Sequence, residues 1–130
     1  MAERRQATSG SPFEGPIGFS RAIRVEDRVL VSGTGPVWPD GSCDPDAFAQ
    51  AMRCFEIGGA ALADLGASLR DVVRTRMYLL DAGDWEAVGR AHGACFEAVR
   101  PAATMVVVAG LPDARWRVEV ELEAVAQPSP

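Results

Sequence analysis

The spacing of hydrophobic and polar residues changes period several times along the chain, and each change marks a predicted secondary structure element. β-type residues at 17–25 and 28–33 predict two short strands joined by a tight turn at Glu26-Asp27. Apolar residues then recur every three or four positions over 45–65, which predicts a helix with Asp44 as a candidate N-cap.

The second half of the chain continues the same alternation of periods. Residues 71–81 predict a strand, 83–99 a helix, and 104–109 and 116–126 two more strands. The resulting order, β-β-α-β-α-β-β, predicts an α+β fold in which two helices pack on one face of a mixed sheet. We assign 17–126 to a single domain, 1–16 to an N-terminal tail or loosely docked arm, and 127–130 to a C-terminal tail.

The predicted strand at 104–109 has no polar alternation after Thr104, which is typical of a strand buried on both faces. Two helices can cover only one face of the sheet. We therefore expect a symmetric homo-oligomer whose sheets face each other. The alternative, with Val106 and Val108 half exposed, is less favoured because such a patch promotes aggregation.

Composition narrows the possible chemistry. The chain has 130 residues, a net charge of -5, and no lysine among its 13 basic residues. Lysine-based Schiff-base, pyridoxal-phosphate and Walker-type phosphate sites are therefore excluded. The single histidine, His92, excludes a three-histidine metal site, and three cysteines without CxxC spacing argue against a disulfide framework or structural zinc.

The excess of acidic over basic residues also bears on the partners and the cellular location of the protein. A negative net charge disfavours nucleic acids and anionic membranes as partners, because both require a basic surface. The chain has no apolar run of about 20 residues, and its polar N-terminus lacks a secretory signal pattern. We expect a cytoplasmic protein.

The last predicted strand carries an acidic stripe. Glu119, Glu121 and Glu123 share one face of it, and Arg74 and Arg76 share one face of the strand at 71–81. These arginines could meet the glutamates across the sheet. The arrangement fits a structural ladder of ion pairs at least as well as a catalytic group.

Two further residues carry possible chemistry. His92 could be a general base, but its helical spacing with Val88 and Phe96 favours a packing histidine. Ser32 could be a nucleophile, or its hydroxyl could satisfy the backbone where the strand ends in a glycine-rich loop. No motif spacing supports a triad that combines the two.

Several motifs, in this order, resemble the Rid/YjgF family of RidA-like reactive-intermediate enamine/imine deaminases: G-F-S-R-A, V-S-G-T-G, D-V-V-R-T-R-M-Y-L-L-D, R-P-A-A-T-M-V-V-V and V-E-V-E-L-E-A-V-A. The resemblance runs from about residue 17 to 126. It implies a chorismate-mutase-like fold and a homotrimer with a central β-barrel and ligand clefts between subunits. The implied reaction is hydrolysis of 2-imino or 2-enamino acids to 2-keto acids and ammonia, with no cofactor or metal.

The resemblance assigns site residues position by position. Glu121 matches the family's glutamate in the last strand, and Ser32 its serine before a glycine; both are candidate catalytic residues. Three positions depart from the pattern. Ala103 replaces the arginine that would bind the substrate carboxylate, Gly89 replaces an asparagine, and Phe19 replaces an aromatic hydroxyl.

A relocated arginine would restore the lost anion contact. Arg21 and Arg76 are the candidate substitutes, and each could equally be a structural ion-pair partner. The predicted substrate-binding set is completed by the residues at the matching motif positions: Phe19, Gly33, His92, Ala103, Thr104 and Met105.

Three functions are compatible with these residues. The first is a deaminase of imine or enamine intermediates, and the second a catalytically silent trimeric protein that binds small molecules. The third, RNA cleavage, is the weakest, because the acidic chain lacks a basic surface and an acid/base pair.

Overall fold

A mixed six-stranded sheet with helices on one face forms the protein, in a computed structural model that describes residues 3–128. The strand order is β1-β2-β3-β6-β4-β5, and only β4 and β5 pair in parallel. The elements are β1 (Arg4–Ala7), a helical turn α1 (Glu14–Ile17), β2 (Ala22–Val25), β3 (Arg28–Thr34), α2 (Ala47–Asp64), β4 (Val72–Leu79), α3 (Trp85–Phe96), β5 (Ala102–Val107) and β6 (Val118–Val125). Short 3-10 turns, Leu69–Asp71 and Ala82–Asp84, precede β4 and α3.

The predicted hairpin and helices are present, with shifted ends. β2 and β3 pair antiparallel across the turn, where Glu26 takes the left-handed conformation at φ 56°. Asp46, not Asp44, caps α2 by accepting a 2.9 Å hydrogen bond from the Ala49 amide. Asp44 does not cap the helix, because its carboxylate accepts a hydrogen bond from the Asp46 amide in the preceding turn.

The segment that we expect to be an N-terminal tail contributes a sixth strand. β1 pairs antiparallel with β2 and buries Ala7. Its other residues are exposed and polar, so no alternating hydrophobic pattern marks the strand, which is held by backbone pairing. At the other end, residues 127 and 128 are exposed and lie outside any element, whereas residues 129 and 130 lie outside the described chain.

The helices α2 and α3 pack on one face of the sheet, here called the helix face. The large side chains buried between them and the strands form one core: Phe55, Leu62, Leu79, Phe96 and Leu122. The opposite face, here called the outer face, carries the alternate residues of β4 and β6, which are only partly buried. Within residues 3–128, no helix has the length and apolarity needed to cross a membrane.

β5 lies at the edge of the sheet and begins two residues earlier than predicted. Val106 and Val107, which point to opposite faces, are 43% and 56% exposed. The prediction that both faces of this strand are buried is therefore not met within one chain. The cause is its edge position, where neither the helices nor a further strand covers it.

Candidate functional site

The outer face brings the arginines of β4 against the glutamates of β6. The register places Arg74 opposite Glu123 and Arg76 opposite Glu121. Arg76 Nη1 lies 2.9 Å from Glu123 Oε2 and 3.8 Å from Glu121 Oε1, and its pKa is raised chiefly by the hydrogen bond to Glu123. These side chains are about one-third exposed and screened by solvent, so the pairs add little stability.

Tyr78 is a member of this cluster that sequence reasoning missed. Its hydroxyl donates a hydrogen bond to Glu121 Oε1, and this bond is the main cause of the raised pKa of Tyr78. The signal was available in the sequence, because Tyr78 shares a face of β4 with Arg74 and Arg76. What the alternation does not reveal is which glutamate the hydroxyl would reach.

A groove of about 480 Å³ opens on the outer face and contains both candidate catalytic residues. Its polar lining is Ser20, Arg28, Ser32, Arg76, Glu121 and Glu123. The hydroxyl of Ser32 donates a hydrogen bond of 2.6 Å to the Ser20 carbonyl. That contact matches the backbone-satisfying role more closely than that of a nucleophile, which would need a base beside it.

Arg21 is embedded at one end of this face. It is only 9% exposed, donates from Nη2 to the Gly33 carbonyl at 2.8 Å, and lies 5.3 Å from the centre of the Phe19 ring. Burial lowers the pKa of Arg21, while the nearby carboxylates of Glu14 and Glu119 oppose that shift. Burial also raises the pKa of Glu119, whose carboxylate packs against Gly33.

His92 lies on the helix face, on the other side of the sheet from Glu121. Its Nε2 is 2.9 Å from the hydroxyl of Thr75, and its ring packs against Phe55 and Phe96 at centroid distances of 5.8 and 4.7 Å. Burial lowers the pKa of His92. These contacts describe a packing histidine.

The candidate residues of β5 divide between the two faces. Ala103 and Met105 pair with the buried Thr75 and Met77, so they point to the helix face. There, a Cβ added at Gly89 would lie 3.7 Å from Met105 Cε. Thr104 points the other way, and its hydroxyl accepts a 2.7 Å hydrogen bond from Arg74 Nη2.

The sheet therefore separates the candidates into two groups. The outer group is Phe19, Arg21, Ser32, Gly33, Arg76, Thr104 and Glu121, and the helix-face group is His92, Ala103 and Met105. Residues of the two groups therefore lie on opposite faces of the sheet.

Glu121 is the side chain in the outer group best placed for proton transfer. It is about one-third exposed in the groove, and the hydrogen bonds formed among residues 3–128 leave its Oε2 free. A free carboxylate oxygen can accept a proton from a bound water. Over the same residues, no cluster of three or more His, Cys, Asp or Glu side chains is arranged to hold a metal ion.

Comparison with known proteins gives consistent results. The profile of the family described as Endoribonuclease L-PSP matches residues 13–126. An uncharacterized protein of Streptomyces coelicolor is 42% identical over 123 residues, covering 92% of this chain and 90% of that protein. A 2-iminobutanoate/2-iminopropanoate deaminase of Salmonella typhimurium is 32% identical and covers 92% of this chain and 94% of the deaminase.

A solved structure is similar over nearly the whole chain. The crystal structure of a member of the YjgF/YER057c/UK114 family from Mycobacterium tuberculosis superposes with a TM-score of 0.88 at 37% identity. The match covers 95% of this chain and 100% of the other. The six-stranded sheet with its two long helices is thus the fold of that family.

Proposed function

The chain belongs to the Endoribonuclease L-PSP family, also known as the YjgF/Rid family, and from this premise we propose that it hydrolyses reactive imine or enamine intermediates to keto compounds and ammonia. The observation that carries the proposal is Glu121, a partly exposed carboxylate in the outer groove with one oxygen free. Deamination by water needs one group that orients the water and accepts its proton.

The proposed step uses Glu121 Oε2 as the base. It takes a proton from water as the water oxygen bonds to the imine carbon, and the carbon–nitrogen π electrons move to nitrogen. The protonated Glu121 then returns the proton to the amine nitrogen. Glu121 next carries the proton of the new hydroxyl group to the nitrogen as the carbon–nitrogen bond breaks, so that ammonia leaves and a carbonyl remains. No group outside the protein, water and substrate is required.

Arg76 is the proposed partner for an anionic group of the substrate. It lines the same groove as Glu121, and its contacts with the two glutamates use only Nη1. Nε and Nη2 could therefore hold a carboxylate. Arg21 supports this role less well, because it is almost fully buried and bonded to the Gly33 carbonyl.

The proposed assembly is a homotrimer with its clefts between subunits. Glu121 and Ala103 lie on opposite faces of the sheet, so a cleft that uses both positions requires the outer face of one copy and the β5 edge of another. Exposed apolar side chains on the outer face and the β5 edge, Leu30, Val106 and Val107, favour such a contact. Light scattering should give three times 13.8 kDa, and a folded monomer would contradict this assembly.

The activity can be tested by trapping the unhydrolysed imine. An amino-acid oxidase generates 2-iminopropanoate or 2-iminobutanoate in place, and semicarbazide traps whatever imine the protein leaves. We expect the wild type to suppress trapping and Glu121→Gln to lose roughly 100-fold or more of that rate. Glu56→Gln, at an exposed carboxylate on α2, is the matched control and should retain it.

The two leading functions predict different results. If wild-type protein at high concentration leaves trapping unchanged, imine hydrolysis is refuted for these substrates. Binding of 2-oxobutanoate by that inactive protein would then support the alternative, a catalytically silent trimeric protein that binds small molecules. The alanine at position 103 favours that alternative, since the arginine that the family has there is missing.

RNA cleavage, which the family description suggests, has little support in this chain. The net charge is -5, and the single histidine is packed against Thr75 and two phenylalanine rings. A ribonuclease site needs cations along the phosphates and an accessible acid/base pair.

A further inference from the structure

Tyr78 contacts the carboxylate that the proposed reaction depends on. We propose that Tyr78 is a positioning residue that fixes the Glu121 carboxylate for attack by water, an inference that rests on the proposed function. Nothing in the sequence motifs assigned a role to this side chain.

The antiparallel pairing of β4 and β6 explains how the contact arises. Tyr78 lies directly opposite Glu119, and Glu121 is its diagonal neighbour on the same face. A diagonal pair is within reach of an aromatic side chain, and the Tyr78 ring spans that gap so that its hydroxyl donates to Glu121 Oε1. A phenylalanine in the same place would leave the oxygen without this donor.

The hydrogen bond distinguishes the two oxygens of the carboxylate. Oε1 is held by Tyr78, and the terminal torsion of a glutamate, which otherwise rotates broadly, is thereby restricted. Oε2 is then the oxygen presented to water. Fixed geometry matters for the rate, because misplacing a reacting group by 1 Å can cost roughly 100-fold.

Arg76 cannot supply the same restraint alone. Its Nη1 is closer to Glu123, at 2.9 Å, than to Glu121, at 3.8 Å. Among the described residues, the Tyr78 hydroxyl is the one hydrogen-bond donor to the Glu121 side chain. The positioning role therefore falls to Tyr78.

The hydrogen bond between Tyr78 and Glu121 can be followed by absorbance spectroscopy. Tyr78 is the only tyrosine of the chain, so tyrosinate absorbance during a pH titration reports on this hydroxyl alone. The bond to the negative Glu121 stabilises the neutral phenol and raises the pKa of Tyr78. Glu121→Gln removes the charged acceptor, so the titration midpoint should fall toward that of an ordinary tyrosine.

The kinetic test uses Tyr78→Phe in the imine-trapping assay. We expect kcat to fall roughly 10- to 100-fold with KM within about twofold, because the variant disturbs the reacting geometry and not substrate binding. Ser42→Ala is the matched control, since it removes a hydroxyl that donates to a carboxylate, Asp40, in an exposed turn. It should leave both constants unchanged.

A double variant separates positioning from a general structural effect. If Tyr78 acts through Glu121, adding Tyr78→Phe to Glu121→Gln should lower kcat no further. An equal additional loss in that background, or a wild-type rate in Tyr78→Phe alone, would overturn the inference and leave the proposed function intact. An inactive wild type would instead refute the proposed function, and the inference with it.

Discussion

Restoring an arginine at position 103 should increase activity toward 2-imino acids, and the neighbouring position provides an internal control. Ala103 is exposed on β5 and points to the helix face, the same face as Met105. Ala102, the next residue, is also exposed but points to the outer face, paired with Arg74. The variants Ala103→Arg and Ala102→Arg therefore add the same charge on opposite faces of one edge strand.

The expected gain follows from the exposure of the site. A charge-assisted hydrogen-bonded contact typically contributes about 1.5 to 3 kcal/mol. Because Ala103 is exposed, solvent screens the pair, and the lower half of that range, about 1.5 to 2 kcal/mol, applies. This corresponds to roughly 10- to 30-fold in kcat/KM.

The trapping assay with 2-iminopropanoate measures the effect directly. Ala103→Arg should raise kcat/KM by that factor, mostly through a lower KM, whereas Ala102→Arg should stay near the wild type. A neutral amide imine, which lacks the carboxylate, should show no gain with Ala103→Arg. That comparison separates anion binding from a general change in activity.

Two results would refute this reasoning. An equal gain in Ala102→Arg would mean that the added positive charge attracts the anionic substrate from either face, so the side of the strand would not matter. An unchanged KM in Ala103→Arg, with intact folding, would mean that the helix face of β5 does not border the substrate.

Two further predictions concern stability. Gly35→Ala would place a Cβ 2.3 to 2.5 Å from three atoms of the Trp116 ring, so thermal unfolding should show a Tm lower by about 4 to 11 °C, equivalent to about 1 to 3 kcal/mol. Gly93 lies in α3, and a Cβ added there would have no atom within 4 Å, so Gly93→Ala should instead raise Tm by up to about 4 °C. Equal shifts in the two variants would contradict the close packing of Gly35 against Trp116. Burial lowers the pKa of His92 below its unfolded value of 6.5, so the unfolded chain binds more protons than the folded protein. As the pH falls through 6.5, the wild type should therefore lose stability relative to His92→Gln. Urea unfolding at several pH values measures this, and parallel pH curves for the two proteins would rule it out.

The order of the elements from β2 to β6, and which residues of the candidate site share a strand face, could be predicted from the sequence. The periods of apolar residues locate α2, α3 and the strands β3 to β6 to within three residues at each end, because each period reflects the neighbours of a residue along its own chain segment. β2 begins five residues later than predicted, since Ile17 belongs to the helical turn α1. The same alternation places Glu121 on a face with its acidic neighbours and Arg76 on a face with Arg74. The motifs identify the family from these segments.

Which of these side chains meet was decided by the tertiary structure. The edge position of β5, its parallel pairing with β4 and the pairing of β1 with β2 follow from backbone hydrogen bonds between distant segments, which leave no local pattern. Strand order and register then place Ala103 and His92 on one side of the sheet and Glu121 on the other, and bring the Tyr78 hydroxyl to Glu121. The sequence by itself determines which residues share a face of one strand. Contacts across strands depend on a register that only the folded sheet sets, since a shift of one residue reverses every side chain.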